Sequence, residues 1–266
     1  VKQFYKKIDI QKKLISFGSI YLEAMKIISV HGDIDKVDNL LQGQITSDVT
    51  LLGNEEYQLS SICNQKGEVM AGFIIHKSKN YKILIDETLV NTFIDELSPF
   101  AKFFGVTFSV EDGFVHGHIT PDKNEKAFIL NDIFSLSVSL EKEILVNNQS
   151  LLMNDWVVAN KLALNLDLNL DDIGKYRPLE INYDKNRVAF DKGCFRGQEI
   201  IARMKYLGVD RRKFVTIISP EAIKENKNFK VIGEILRYKD FYVFSSSIKR
   251  DFLDEFSSNN PSTVII

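Results

Sequence analysis

Two cysteines, four histidines, five prolines and a single tryptophan in 266 residues leave several kinds of chemistry without raw material. Cys63 and Cys194 are too few for a disulfide framework and lack the paired spacing of a structural zinc or iron–sulfur site, so an iron–sulfur centre, if the function involves one, belongs to a partner. His116 and His118 fall on one side of a predicted strand, but no third ligand follows at suitable spacing, and no metal site is expected. No window approaches the roughly eighteen uninterrupted apolar residues of a membrane span, and the basic start, Val1 to Lys13, lacks the apolar stretch of a secretory signal. The expectation is a cytoplasmic protein with no membrane partner. Phosphate-binding loops, dinucleotide glycine motifs and serine-hydrolase elbows are also missing.

What is present is ordinary globular material: 44% hydrophobic and 26% charged residues, enough for two or three compact units. The formal net charge of −2 argues against a nucleic-acid footprint spread over the whole molecule. Local charge differs. Between Lys192 and Lys213 seven Lys or Arg residues face only Glu199 and Asp210.

The hydrophobic pattern alternates between periods of two and of 3.6. Strands are predicted at Lys26–Val30, Tyr57–Cys63, Val69–His76, Tyr81–Asp86 and Val106–Val110, with a turn at Asn64-Gln65-Lys66-Gly67. A helix capped by Asp33 or Asp35 presents Ile34, Val37, Leu40 and Leu41 and should stop at Gly43. A second, Glu87 to Phe104, should break near Ser98-Pro99. Later strands are expected at Phe128–Leu130, Leu136–Leu140, Ile144–Val146, Phe214–Ile218, Val231–Arg237 and Tyr242–Ser247. A helix is expected over Asn154–Asn165, with Trp156 in the core, and a loose tail over Ser257–Ser262. The order suggests an α+β layer with helices on one face of a mainly antiparallel sheet.

The chemistry concentrates at Lys192-Gly193-Cys194-Phe195-Arg196-Gly197-Gln198-Glu199. Ile200, Ile201, Met204 and Leu207 continue it at helical spacing and Gly208 stops it, so Cys194 should occupy a turn at a helix start. The helix dipole, Lys192 and Arg196 would there favour a thiolate, and Gly193 and Gly197 would each allow positive φ and close approach of a ligand. The plainer alternative is a strand-to-helix turn with a buried, inert cysteine.

This run resembles the Lys-Gly-Cys-aromatic-x-Gly-Gln-Glu signature of the YgfZ family, folate-binding relatives of the glycine-cleavage aminomethyltransferase. The similarity extends through Ala202-Arg203 and Arg211-Arg212-Lys213, and upstream through Pro178-Leu179-Glu180-Ile181-Asn182. A distant block, Leu41-Gln42-Gly43-Gln44-Ile45-Thr46-Ser47-Asp48-Val49 followed by Cys63-Asn64-Gln65-Lys66-Gly67, also resembles the family. The resemblance implies an aminomethyltransferase-like fold of interleaved α+β units with a small C-terminal β-barrel, here divided as residues 1–207 and 208–266. It also implies a central pocket for tetrahydrofolate or a derivative and support of iron–sulfur enzymes, and thereby of tRNA modification. Cys194 is then the candidate reactive residue. Lys192, Gly193, Arg196, Gly197, Gln198, Glu199, Arg203, Glu180, Gln44 and Thr46 are the candidate folate contacts, with Arg203 held by Glu199 at i+4. The basic cluster would meet a folate glutamate tail, an acidic partner or, directly, tRNA.

One departure from the aminomethyltransferases bears on activity. Where their strand carries an acidic pair, this sequence has Ala71 and Gly72, and their second pterin-facing carboxylate is not recognisable in Trp156 to Asn165. One-carbon transfer needs a group to handle charge at the reacting nitrogen. A transferase is therefore the runner-up to a folate-binding support protein, and a plain interaction module without folate is the third reading.

Overall fold

The computed structural model describes residues 2–121, 126–141, 149–208 and 211–266. The chain begins with a helix, α1 (Lys2–Leu14), and a short strand, β1 (Gly18–Tyr21). Then come β2 (Met25–His31), α2 (Ile34–Gln44), β3 (Glu56–Cys63), β4 (Val69–Lys77), β5 (Tyr81–Asp86), α3 (Val90–Phe104) and β6 (Thr107–Glu111). These strands form a five-stranded antiparallel sheet in the order β3-β4-β5-β2-β6.

The period-two pattern gives that sheet two apolar faces. Phe73, Ile75, Ile83 and Ile85 pack with Phe93 and Leu97 of α3 and Leu40 and Leu41 of α2. Ile27, Leu59, Ile74 and Leu84 face the other way, into a second core with Val115, Ile119, Leu136 and Trp156. The second core belongs to the strands β7 (His116–Thr120), β8 (Ile129–Leu130) and β9 (Ser135–Ser139), and to helix α4 (Met153–Leu162). Their sheet has the order β1-β7-β9-β8, so β1 reaches across the whole inserted five-stranded unit to pair with β7. The two α+β units are interleaved.

Helix α5 (Gln198–Leu207) leads to the C-terminal unit: β10 (Arg212–Ser219), β11 (Phe229–Tyr238), β12 (Phe241–Lys249), α6 (Leu253–Asn259) and β13 (Val264–Ile265). Its antiparallel sheet runs β11-β12-β10-β13 over a core of Val215, Ile217, Phe229, Phe244 and Phe256.

Four expectations fail for identifiable reasons. Helix α2 passes through Gly43 and ends only after Gln44, because Ile45 still donates to the Leu41 carbonyl at 2.9 Å. Helix α3 runs through Pro99 to Gly105, whose φ of +65° ends it. The amide missing at proline removes one bond, whereas Phe93, Leu97 and Ala101 hold the apolar face in the core, and Ser98 Oγ donates to the Ile94 carbonyl at 2.6 Å. The segment expected to be a loose tail is ordered: α6 ends within it, and β13 beyond it pairs with Ile217 and Ile218 and buries Val264. Helix α1 was not expected, because its apolar residues are sparse among the lysines; Ile10 and Leu14 bury it against the second core. The strand expected at Ile144–Val146 lies outside the described residues.

Candidate functional site

A cavity of about 230 Å³ lies where the second face of the large sheet meets α4 and the irregular chain from Asn165 to Arg187. Leu59, Ile74 and Leu84 give it an apolar floor, and Phe128, Met153 and Trp156 form apolar walls. Its polar lining comes from Asp86, Asn160, Asn165, Asp167, Tyr183 and Arg187.

These groups hold one another. Arg187 is 3% exposed. Its guanidinium donates to the carbonyls of Ser60 and Phe73 and to Asn165 Oδ1, each at 2.9 Å, and lies 4.4 Å from the Tyr183 ring centroid. Its buried Nε has no acceptor in the protein. Asn165 donates in turn to Asn160 Oδ1 at 2.7 Å, and Asn160 to the Trp156 carbonyl at 3.0 Å, which ties the irregular chain to α4. Tyr183 donates to the Leu166 carbonyl at 2.7 Å.

Asp167 lines the cavity and is exposed, although protein is packed densely around it. Burial raises its proton affinity, while the positive charges of Arg187 and Lys161 oppose that rise. It is a cavity carboxylate two residues beyond the stretch in which the sequence showed none. The vacancy on β4 is also explained. A Cβ at Gly72 would lie 2.6 Å from the Tyr183 hydroxyl, so the space that a side chain would need is filled by a buried phenol.

The signature residues lie elsewhere and act as a clamp. Lys192 is 7% exposed, and its ammonium donates to the carbonyls of Ile45 and Ser47 at 3.0 and 2.7 Å. Burial lowers its pKa to about 8, against the pull of Asp48. Arg196 Nε donates to the Cys63 carbonyl at 2.6 Å, and its terminal nitrogens take the Glu96 carbonyl and carboxylate on α3. Gly197 has φ +83°, and a Cβ there would meet the Asn64 carbonyl oxygen at 2.5 Å, so the turn presses on the β3–β4 hairpin. Gly193 has open space around it and needs no positive φ. Of the two glycines only Gly197 takes positive φ, and what approaches it closely is the protein's own backbone instead of a ligand.

Cys194 lies four residues before α5 and is exposed, whereas Cys63 is fully buried. Gln198 and Glu199 form the first turn of α5. Arg203 is exposed, and no ion pair joins it to Glu199 among the described residues. Glu180 is exposed and accepts from the Arg177 amide at 2.7 Å, a capping role. Thr46 is buried, donating to the Arg187 carbonyl at 2.6 Å and sharing a 2.8 Å bond with Ser61 Oγ. Gln44 ends α2 with its Oε1 buried. None of these residues lines the cavity. His118 bridges Ser19 and Ser139 at 2.7 and 2.8 Å, and the described residues contain no cluster of metal ligands.

No protein-family model matches the chain. An uncharacterized protein from Haemophilus influenzae is 31% identical over 204 residues, 73% of this chain and 70% of the relative. The "tRNA-modifying protein YgfZ" of Buchnera aphidicola subsp. Schizaphis graminum is 29% identical over 75% of this chain and 72% of its own. That of Blochmanniella pennsylvanica is 23% identical over 89% and 82%. The chain belongs to the YgfZ family. A solved structure, the glycine cleavage system aminomethyltransferase T from Bartonella henselae, superposes with a TM-score of 0.64 over 92% of this chain and 82% of that one at 14% identity, which establishes the shared fold.

In this YgfZ-family chain, sequence reasoning singled out the signature as a ligand site, where Lys192 and Arg196 instead bond the protein's own carbonyls, and did not find the residues that line the cavity. Asp167, Tyr183 and Arg187 stand in segments without helical or strand periodicity, where no motif marks them, and Asn165 lies just past α4, which ends at Leu162, short of the expected Asn165. The available signal was composition: an aspartate and an arginine among Leu166, Leu168 and Tyr183 in chain that must be buried.

Proposed function

We propose that this YgfZ-family protein binds tetrahydrofolate or a derivative in the cavity and supports iron–sulfur enzymes in the cytoplasm, and through them tRNA modification, with Cys194 as the exposed reactive group. The supporting observation is that a carboxylate, Asp167, and an arginine, Arg187, whose buried Nε lacks an acceptor, line one cavity with apolar walls. A pterin is a flat ring with N–H donors and a carbonyl on its edge. A carboxylate takes the donors, a guanidinium N–H takes the carbonyl, and Trp156 and Phe128 offer aromatic surface for the ring. When bound, the folate supplies a one-carbon carrier. The protein's own residues orient and enclose it. With Tyr183 against Gly72 and Ala71 beside it, the positions of the acidic pair hold no group for charge at a reacting nitrogen, which favours binding without aminomethyl transfer.

Anaerobic titration with tetrahydrofolate tests the reading. Asp167→Asn is expected to weaken binding about tenfold or more, the loss of one charge-assisted hydrogen bond. Cys194→Ala should bind as the wild type does, since its side chain lies outside the cavity. Equal affinity of wild type and Asp167→Asn would reject the site. Turnover of a lipoyl-bound aminomethyl donor by the wild type would turn the assignment to a transferase.

A further inference from the structure

We propose that the end of α5 and the adjoining edge of the C-terminal sheet form a binding surface for single-stranded RNA, with Tyr206 as a stacking platform and a basic hollow beside it for phosphate.

Tyr206 is 65% exposed, a large aromatic area to leave in water. It is also held in place. Its ring meets the edge of Phe190 at 6.2 Å and 79°, and Lys205 Nζ covers Phe190 at 3.4 Å from the ring centroid. The phenol ring is thereby oriented before any ligand arrives, which reduces the ordering cost of stacking.

Five residues further on, at most about 18 Å of chain, opens a hollow lined by Arg211, Arg212, Lys249, Arg250 and Asp251. The fold brings these together because Arg212 pairs with Lys249 in the β10–β12 register and the Arg250 amide donates to the Arg211 carbonyl at 3.1 Å. Arg212 is anchored by bonds to the carbonyls of Ser247 and Lys227, at 2.8 and 3.0 Å, so its charge is fixed at the hollow. Arg211, Arg212 and Lys249 bring positive charge to the hollow, while exposed Arg203 and Lys205 extend the positive field along α5. The other cations of the run, Lys192 and Arg196, are committed to internal bonds and do not contribute.

A row of cations alone suits any polyanion. An exposed ring on the same stretch of chain selects a polymer that carries flat bases as well as phosphates, because every base offers a π-face. The inference stands independently of folate binding.

Fluorescence anisotropy with a labelled oligouridylate of roughly a dozen nucleotides at low salt, competed with polyglutamate peptide, tests it. The wild type is expected to bind, with affinity falling steeply as salt rises. Arg211→Ala together with Lys249→Ala should lower the salt slope by about 0.7 per cation removed. Tyr206→Ala should weaken binding about 5- to 150-fold and Tyr206→Phe should restore it. Circular dichroism and an unchanged thermal midpoint would show that each variant is folded. Absence of RNA binding by the wild type at low salt overturns the proposal, as does Tyr206→Ala binding as tightly as wild type. Displacement by polyglutamate as effective as by unlabelled RNA of equal charge would replace it with an acidic protein partner.

Discussion

The two cysteines show how little a residue's type says before its surroundings are known. Cys63 ends β3 inside the core, and burial pushes its thiol up to about 12 against the favourable charge of Arg196. Cys194 stands exposed on the clamped turn. Mass-resolved alkylation of the native protein near pH 8 should therefore modify Cys194 while leaving Cys63 unreacted until the chain unfolds. Comparable rates at the two sites would mean that the turn is closed or the hairpin open. Asp167 makes the complementary point. Its folded proton affinity is raised by burial, so the folded chain holds that proton more tightly than the unfolded one. The corresponding stability is present at low pH and lost as pH rises through the folded value, leaving the charged carboxylate as a cost at neutrality. Asp167→Asn is expected to raise the thermal midpoint at pH 7 while weakening the ligand, and a lowered midpoint would show that Arg187 and Lys161 more than offset the burial.

Among the elements, the turn before α5 is the one whose energetics can be divided position by position. Gly197→Ala puts a Cβ into the Asn64 carbonyl at a positive φ and should cost about 1–3 kcal/mol or more. Gly193→Ala meets nothing and should stay within about 0.5 kcal/mol of wild type. Chemical denaturation of the pair checks both, and equal losses would refute the clamp. Legibility divides along similar lines. Strands β3, β4 and β5 and helix α3 were readable because burial imposes a period on the residues themselves. The cavity's polar residues were not, because Asn165 and Arg187 bond across irregular chain, with Asp167 in the field of Arg187, and such relations leave no period. The signature was visible as a motif, yet its lysine and arginine look identical in sequence whether they reach for a ligand or for the carbonyls of Ile45, Ser47 and Cys63.

At the scale of the whole molecule, the clamp links stability to pH. Lys192 joins the turn to the chain after α2, and its folded pKa of about 8 lies below the ordinary 10.5. Above about pH 8 the unfolded chain holds a proton that the folded chain has lost, so the contribution of this group to stability rises with pH; below pH 8 the full cost of burying the ammonium is present. Between about pH 8 and 9 the contribution of Lys192 itself should be about 1 kcal/mol, partly offset in the wild type by Cys63, whose thiol begins to ionise in the unfolded chain in that interval. Comparing unfolding free energies of wild type and Lys192→Met across that interval isolates it, and identical slopes would remove Lys192 as the source.

The interleaving of the two α+β units has a consequence for how the chain finds its structure. Pairing β1 with β7 looks expensive, since a hundred residues of chain intervene between the partners Gly18 and Ile119. Closing so long a loop from a disordered chain is slow, because its entropy is lost before any contact compensates. The inserted unit removes that obstacle. Strands β2 and β6, its first and last, are neighbours in one sheet, with Ile27 opposite Glu111. Once the five-stranded sheet has formed, Tyr21 and His116 are separated by two short connections instead of a long loop, and they pair in register. The insertion that makes the topology appear entangled is thus what shortens the search, and it orders the assembly: the inner sheet first, the outer sheet around it, and the cavity last, since its floor belongs to one and its walls to the other.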